Sequence, residues 1–274
     1  MVNGQVFLIH YKCLNFELCT LNMEKIIAFM DITLFQLINY FLILVFFVLF
    51  ARYLWIFFFN RNKKPVQWHF SIENGEIPPR LKRLEKKYPD KARFFNWWFQ
   101  IGRLKQQQIP GVFAELGVYK GASAEIIHQM DPARPFHLFD TFSGFPAGDL
   151  VMETGEAATY TTDNFADTGV ESVLKKIAGN SNIHIHSGYF PDTARDFSET
   201  VALVNIDTDL YNPTKAGIEF FYPMLPPGGV ILIHDYNFKW PGIIKAVDDF
   251  LMTIPETLIH LPDIDGTVMI IRNK

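Results

Sequence analysis

The first long apolar run of the chain covers residues 32–51, twenty positions without a charge between Asp31 and Arg52. At about 1.5 Å per residue, a helix of that length spans about 30 Å, the thickness of a hydrocarbon core. Thr33, Gln36 and Asn39 interrupt the run only lightly, and beyond Arg52 it continues into Tyr53, Trp55, Phe57, Phe58 and Phe59, rings suited to a headgroup boundary. A signal peptide has a shorter apolar region ending in small residues, whereas this one ends in aromatics and then Arg61, Lys63 and Lys64. A buried helix apolar on every side would need a deep core all around it. The pattern predicts one uncleaved transmembrane helix over residues 31–60. Arg52, Arg61, Lys63 and Lys64 follow the span and only Lys12 and Lys25 precede it, so the positive-inside rule puts the C-terminal part in the cytoplasm.

Residues 1–30 show no periodicity, and Met23, just ahead of the apolar run, is a second candidate start. Residues 61–110 read as a juxtamembrane linker with cap helices. The basic run Arg80, Lys82, Arg83, Lys86, Lys87, Lys91 and Arg93 makes a solvated helix face in reach of anionic headgroups, and Phe94, Phe95, Trp97, Trp98 and Phe99 pack on the domain that follows. From Gly111 to the end, residues 111–274, short apolar runs alternate with helical stretches. Strands are predicted at 112–116, 136–139, 183–186, 201–206 and 230–233, with helices at 122–130, 170–177, 214–222 and 242–252. Residues 257–261 and 268–272, joined by Pro262, Asp263, Ile264, Asp265 and Gly266, form a hairpin on one edge. The predicted fold class is α/β: a Rossmann-like, mostly parallel sheet with a C-terminal antiparallel hairpin, preceded by one N-terminal transmembrane helix. That late hairpin suits a class I methyltransferase better than a dehydrogenase.

Charge and cysteine usage narrow the options. The 25 basic and 29 acidic residues leave a net charge of −4, which sets nucleic-acid binding aside. Both cysteines, Cys13 and Cys19, lie in the first twenty residues, so the rest of the chain has no thiol for a disulfide framework or zinc knuckle and suits a reducing compartment.

The most informative loop is Glu115-Leu116-Gly117-Val118-Tyr119-Lys120-Gly121, between the first strand and the first helix. Gly117 and Gly121, with Ser123 just inside the helix, let backbone approach a ligand where open α/β sheets bind cofactors. An acid stands where the dinucleotide fingerprint has its first glycine, and the next glycine spacing is one residue longer. A carboxylate there repels a pyrophosphate and suits an ammonium, which points to the amino-acid end of S-adenosylmethionine; an ordinary turn with Glu115 at a strand end is the plainer reading. Asp140 ends the second strand, where it can accept from both ribose hydroxyls or cap the turn at Thr141, Phe142, Ser143 and Gly144. Ser187 and Gly188, ending the third strand, face the adenine.

Asn205-Ile206-Asp207-Thr208-Asp209 closes the fourth strand and Ile233-His234-Asp235-Tyr236 the fifth. Neighbouring parallel strands end at one rim, so Asp207 and Asp235 face the cofactor crevice and suit a hard metal or a general base. Acids also cap helices, and Asp209 and Asn212 are placed to do so before the next helix. The acidic stretch 147–168 is long enough for a mobile lid over the acceptor.

These residues resemble the macrocin O-methyltransferase (TylF) family over about residues 110–274. The likeness rests on Glu-Leu-Gly-Val-Tyr-Lys-Gly at 115–121, Phe-Asp-Thr-Phe-Ser-Gly-Phe-Pro at 139–146, Ile-Asp-Thr-Asp-Leu-Tyr at 206–211, Pro-Gly-Gly at 227–229 and His-Asp-Tyr at 234–236. The resemblance implies S-adenosylmethionine as donor and a divalent cation, usually magnesium. Asp207 would be ligand and base for a sugar hydroxyl, and Asp235 a second ligand. His234 stands where the family usually has another Asp, so a third ligand there would be an imidazole, a softer donor. The expected protein is a membrane-anchored O-methyltransferase whose partners are a small-molecule acceptor, lipid around the helix and, optionally, a second copy of the chain. The alternatives are a nicotinamide (NAD(P))-dependent oxidoreductase, disfavoured by the glycine spacing, and a non-catalytic binding module.

Overall fold

A computed structural model describes residues 33–60, 64–178 and 181–273. The N-terminal segment with Cys13, Cys19 and Met23, and the flanking Arg61 and Lys63, lie outside the described residues. The chain divides into two compact units, one ending at Lys63 and one running from Lys64 to Lys274.

In the first unit, helix α1 (Leu34–Trp55) continues as a π-helical turn, Ile56–Asn60. Its start is set by a capping box: the Thr33 hydroxyl accepts from Gln36 N at 3.3 Å and Thr33 N donates to Gln36 Oε1 at 2.9 Å. Thr33 and Gln36, counted above among the interruptions of the run, are thus its N-terminal stop. None of the α1 side chains is buried, and Leu37, Phe41, Leu44 and Val48 are as open as the rest.

The second unit begins with three helices, α2 (Val66–Glu73), α3 (Pro79–Lys87) and α4 (Lys91–Gln106). Asp90 caps α4 by accepting from Arg93 N at 2.9 Å. Phe94, Trp97, Ile101 and Leu104, spaced three and four apart, form its fully buried stripe. Trp68 of α2 meets Phe94, Phe95 and Trp98 edge-on, with ring centroids 5.3–5.5 Å apart. Of the expected aromatic cluster, Phe94, Phe95 and Trp97 are buried and Phe99 stays exposed; of the basic run, Arg83, Lys86 and Lys87 are exposed while Arg93 turns inward, and α3 buries Leu81 and Glu85, the latter paired with Lys64 at 2.6 Å. This core therefore starts well before the expected Gly111, because α4 shares it with Phe113, Leu138, Leu203 and Leu232 of the sheet.

The sheet contains β1 (Val112–Leu116), β2 (Phe136–Asp140), β3 (Ile183–Ser187), β4 (Val201–Ile206), β5 (Val230–Ile233), β6 (Ile259–His260) and β7 (Val268–Ile271). Their spatial order is β3-β2-β1-β4-β5-β7-β6, with β1 to β5 parallel and β7 antiparallel to both β5 and β6. Every residue of β1, β4 and β5 is buried, as strands covered on both faces require. The helices are α5 (Ala122–Met130), the short α6 (Ala147–Leu150), α7 (Val170–Ile177), α8 (Tyr211–Phe221) and α9 (Pro241–Leu251). The helix expected from 214 starts at Tyr211, since Pro213 in a first turn lacks only an N–H that has no helical partner there. All five parallel strands point their C-terminal ends at one rim, where the strand order reverses between β1 and β4.

Candidate active site

A cavity of about 610 Å³ opens at that rim. Gly117 takes φ +88°, and a Cβ on it would lie 1.9 Å from the Asp207 carbonyl oxygen, so only glycine fits where β1 hands over to the loop. Gly121 also has positive φ, but its Cα faces Val173 and Ile177 of α7, which makes it a helix cap and packing glycine rather than part of the cavity wall. Asp140 accepts from Val118 N at 2.7 Å and Tyr119 N at 2.8 Å with Oδ2, and from Phe142 N at 2.7 Å with Oδ1. It ties the loop after β1 to the turn after β2 and still lines the cavity, so the turn-capping reading is realised.

Glu115 lies beneath this wall, fully buried. Register pairs it with Asn205 of β4, whose Nδ2 donates to Glu115 Oε1 at 2.8 Å and whose Oδ1 accepts from Trp97 Nε1 at 3.1 Å. Oε2 has no directed hydrogen bond among the described residues. Burial pushes the carboxyl up to about 8, with the Ser123 hydroxyl beside it opposing and Asp207 adding. Gly117, Ser123, Asp140 and Gly188 line the cavity; Ser187 is exposed outside it.

The acids close the other half. Asp207, His234 and Asp235 each offer a ligand atom, all within 4.8 Å of one another. His234 Nδ1 is 3.1 Å from Asp207 Oδ1 and 3.0 Å from Asp235 Oδ1, and neither contact is a well-directed hydrogen bond. The second Asp207 oxygen, Oδ2, accepts from the buried Arg93 at 2.8 Å. Burial opposes the charge on Asp207, but Arg93 and then His234 outweigh it and hold the carboxyl well below the usual range. Burial likewise opposes protonation of His234, yet Asp207 and Asp235 push its imidazole up to about 10. Asp209 is different: burial, then Asp207 and Asp235, raise its carboxyl well above the ordinary value. Asp209 and Asp235 both sit at positive φ, +59° and +61°, strain that clusters at functional sites.

Asp207, expected as the base, is ion-paired with Arg93, which lowers its affinity for a proton. Asp209 and Asn212 do not cap α8: its N-cap is Leu210, without a side-chain hydrogen bond, Asp209 faces the cavity, and Asn212 Nδ2 donates to Asp149 at 3.0 Å.

The stretch 147–168 with neighbouring Phe145 builds an aromatic wall. Phe145 stacks on Tyr160 at 5.5 Å, Phe165 meets both edge-on, and Trp240 Nε1 donates to the Tyr160 hydroxyl at 3.3 Å. Arg93, Tyr160 and Trp240 had no signal in the sequence, since nothing in a basic run or an isolated ring marks which side chain turns inward.

The three converging donors, two carboxylate oxygens and one imidazole nitrogen whose directed hydrogen bond is missing, suit a divalent ion of hard to borderline character. The wall of Gly117, Ser123, Asp140 and Gly188, in which the Val118 and Tyr119 amides are taken by Asp140, suits a cofactor without phosphate.

Residues 90–272 match the model of the Macrocin-O-methyltransferase (TylF) family. A tetracenomycin rhamnosyl 4'-O-methyltransferase of Streptomyces olivaceus is 26% identical over 194 residues, 63% of this chain and 72% of that protein. Demethyldecarbamoylnovobiocin O-methyltransferase of Streptomyces niveus is 25% identical over 159 residues, 52% of this chain and 58% of that one. Among solved structures, the O-methyltransferase NovP aligns with TM-score 0.59 at 23% identity, covering 67% of this chain and 81% of NovP. The calicheamicin methyltransferase CalS11 aligns with TM-score 0.52 at 24% identity, covering 73% and 92%. Both show the same α/β methyltransferase fold with a mixed sheet. The family match sets aside the oxidoreductase and the silent binding module. This chain belongs to the macrocin O-methyltransferase family and is an S-adenosylmethionine-dependent O-methyltransferase.

Proposed function

We propose that the enzyme methylates a hydroxyl of a sugar or glycosylated small molecule, with its catalytic unit held at the cytoplasmic face of a membrane by α1. The observation that carries the acceptor class is the meeting of strand-end acids with the aromatic wall of Phe145, Tyr160 and Trp240 in one cavity. Acids accept hydroxyl protons, and flat rings cover the apolar face of a pyranose. The rhamnosyl acceptor named for the Streptomyces olivaceus relative points the same way.

The bound cofactor supplies an activated sulfonium methyl. Gly117 and Ser123 border the proposed amino-acid end with Glu115 buried beneath them, Asp140 takes the ribose, and Gly188 borders the adenine. A divalent cation at Asp207 Oδ1, His234 and Asp235 would lower the cost of charge on the acceptor oxygen. Asp209, which lines the cavity beside these ligands, receives the hydroxyl proton, and the stretch 147–168 covers the acceptor and excludes water.

The test incubates the full chain with S-adenosylmethionine, Mg²⁺ and a panel of rhamnosides and other glycosides, read by mass spectrometry. The expected product carries one added methyl on a sugar oxygen; transfer confined to non-sugar positions overturns the acceptor class. For the anchor, the apolar length of α1 and the basic residues after it support one crossing. Protease added to sealed vesicles should spare the catalytic unit from the lumenal or external side, and digestion from that side reverses the orientation.

A further inference from the structure

We propose that Arg93 is a resident cation of the active site, a positioning residue that holds one oxygen of Asp207 and competes with a divalent ion for that carboxylate. The inference rests on the cation reading above and adds a residue from α4, outside the strand-end motifs, to its control.

Four observations carry it. Arg93 is buried, and its guanidinium donates to Asp207 Oδ2 at 2.8 Å, while Oδ1 is left facing His234. Its place is fixed from three sides: Asp90 caps its own N–H at 2.9 Å, the same Asp90 accepts from Ile264 N at 2.8 Å, and the guanidinium lies 4.9 Å over the Trp97 ring. Trp97 is in turn held by Asn205, so the segment is built into the sheet rather than resting on it. Arginine keeps its charge throughout the physiological pH range, so this positive charge is permanent.

Two consequences follow for the chemistry. With Oδ2 engaged, Asp207 can offer an incoming ion only Oδ1, in a fixed direction, which is the way an outer partner orients a metal ligand. The permanent charge also repels the ion it helps to seat. For a divalent ion about 5 Å from a guanidinium, Coulomb repulsion at an effective dielectric of about 20 exceeds what a tenfold affinity change requires. The centre thus holds cations weakly by construction, its two carboxylates being already balanced in part by Arg93.

The experiment titrates Mn²⁺ alone into the full-length protein, counting free ion by electron paramagnetic resonance, for the wild type, Arg93→Gln, Arg93→Lys and Arg93→Gln/Asp207→Asn. Arg93→Gln should bind Mn²⁺ at least tenfold more tightly than the wild type. Arg93→Lys, which keeps the charge, should stay within about threefold of it, and the double variant should lose the gain. Calorimetry with S-adenosylhomocysteine checks that each variant is folded, with affinity expected within about threefold of wild type. Unchanged or weaker Mn²⁺ binding in Arg93→Gln overturns the proposal while leaving the cation reading standing. No Mn²⁺ binding in any variant overturns both. Loss of S-adenosylhomocysteine binding in both single variants makes Arg93 a structural residue and also overturns it.

Discussion

Gly117 and Asp207 meet backbone to backbone where β1 and β4 end, so closely that a methyl group on Gly117 would sit 1.9 Å from the Asp207 carbonyl oxygen. One contact therefore sets both the cofactor loop and the residue that leads the acidic cluster. Gly117→Ala must move one strand end and also adopt a φ of +88° that an L side chain rarely takes. We expect a loss of about 2 to 4 kcal/mol in stability, by urea denaturation, with S-adenosylhomocysteine affinity falling at least tenfold. Near-native values in both measurements would mean that the two strand ends separate without cost.

Glu115 makes stability depend on pH. Its folded carboxyl stands at about 8 against 4.5 for the free side chain, so the folded state keeps a proton that the unfolded state has released between those values. The contribution is complete below about pH 4.5 and is lost as pH rises through 8, which makes stability fall across that window by an amount on the order of a few kcal/mol. Glu115→Gln should flatten the fall, because a glutamine has no proton to lose. Denaturation curves at intervals from pH 5 to 8 read this directly, and an equal slope in both proteins would remove the assignment to Glu115.

The compact unit from Lys64 fixes where the chain can be shortened. Deleting residues 1–63 leaves α2, α3 and α4 in place and should give a folded protein that binds S-adenosylhomocysteine. Deleting residues 1–110 strips Phe94, Trp97, Ile101 and Leu104 from the core, each at most 2% exposed. Side chains of this size contribute about 1.5 to 3 kcal/mol each on burial, so the sum, about 6 to 12 kcal/mol, is as large as the net stability of an ordinary domain. The shorter protein should aggregate; a monomeric, cofactor-binding fragment 111–274 would show that α4 is dispensable.

Legibility followed locality. Strands such as 112–116 and 201–206 are continuous apolar runs bounded by turn residues, and a strand buried on both faces leaves that mark wherever it occurs. Gly117, Asp140, Asp207 and Asp235 were readable because strand ends in a parallel sheet share a rim, whereas Glu115, one step back from the end of β1, is buried beneath the cavity. Arg93 was not, because its partner Asp207 lies 114 positions away and only the packing of α4 on the sheet brings them together. Gly121 and Ser187 carried the right residue types and lie away from the cavity wall, since helix packing and an exposed edge strand use the same residues. The role of Asp207 is not legible from position alone: a strand end says that an acid faces the crevice, but its basicity is set by neighbours on other elements, Arg93 among them.

Asp207 and Asp209, two residues apart, should fail differently. Asp207 is ion-paired with Arg93 and faces His234, so Asp207→Asn keeps the shape but removes the charge that balances both and one proposed cation ligand. Turnover on a verified acceptor should fall by about 10³ or more, and Mn²⁺ affinity should fall with it. Asp209 touches neither cation in that way, and its raised carboxyl suits proton transfer. Asp209→Asn should therefore lower turnover by about 10² to 10⁴ while Mn²⁺ and S-adenosylhomocysteine affinities stay within a few-fold of wild type. Cofactor binding should survive both changes, because the proposed contacts come from Asp140 and Gly188 after other strands. Measuring turnover, Mn²⁺ affinity and S-adenosylhomocysteine affinity on the same two variants separates the roles. Full turnover in Asp209→Asn together with a rate loss in Asp207→Asn would return the proton to Asp207, and would mean that Arg93 leaves that carboxylate when the acceptor arrives.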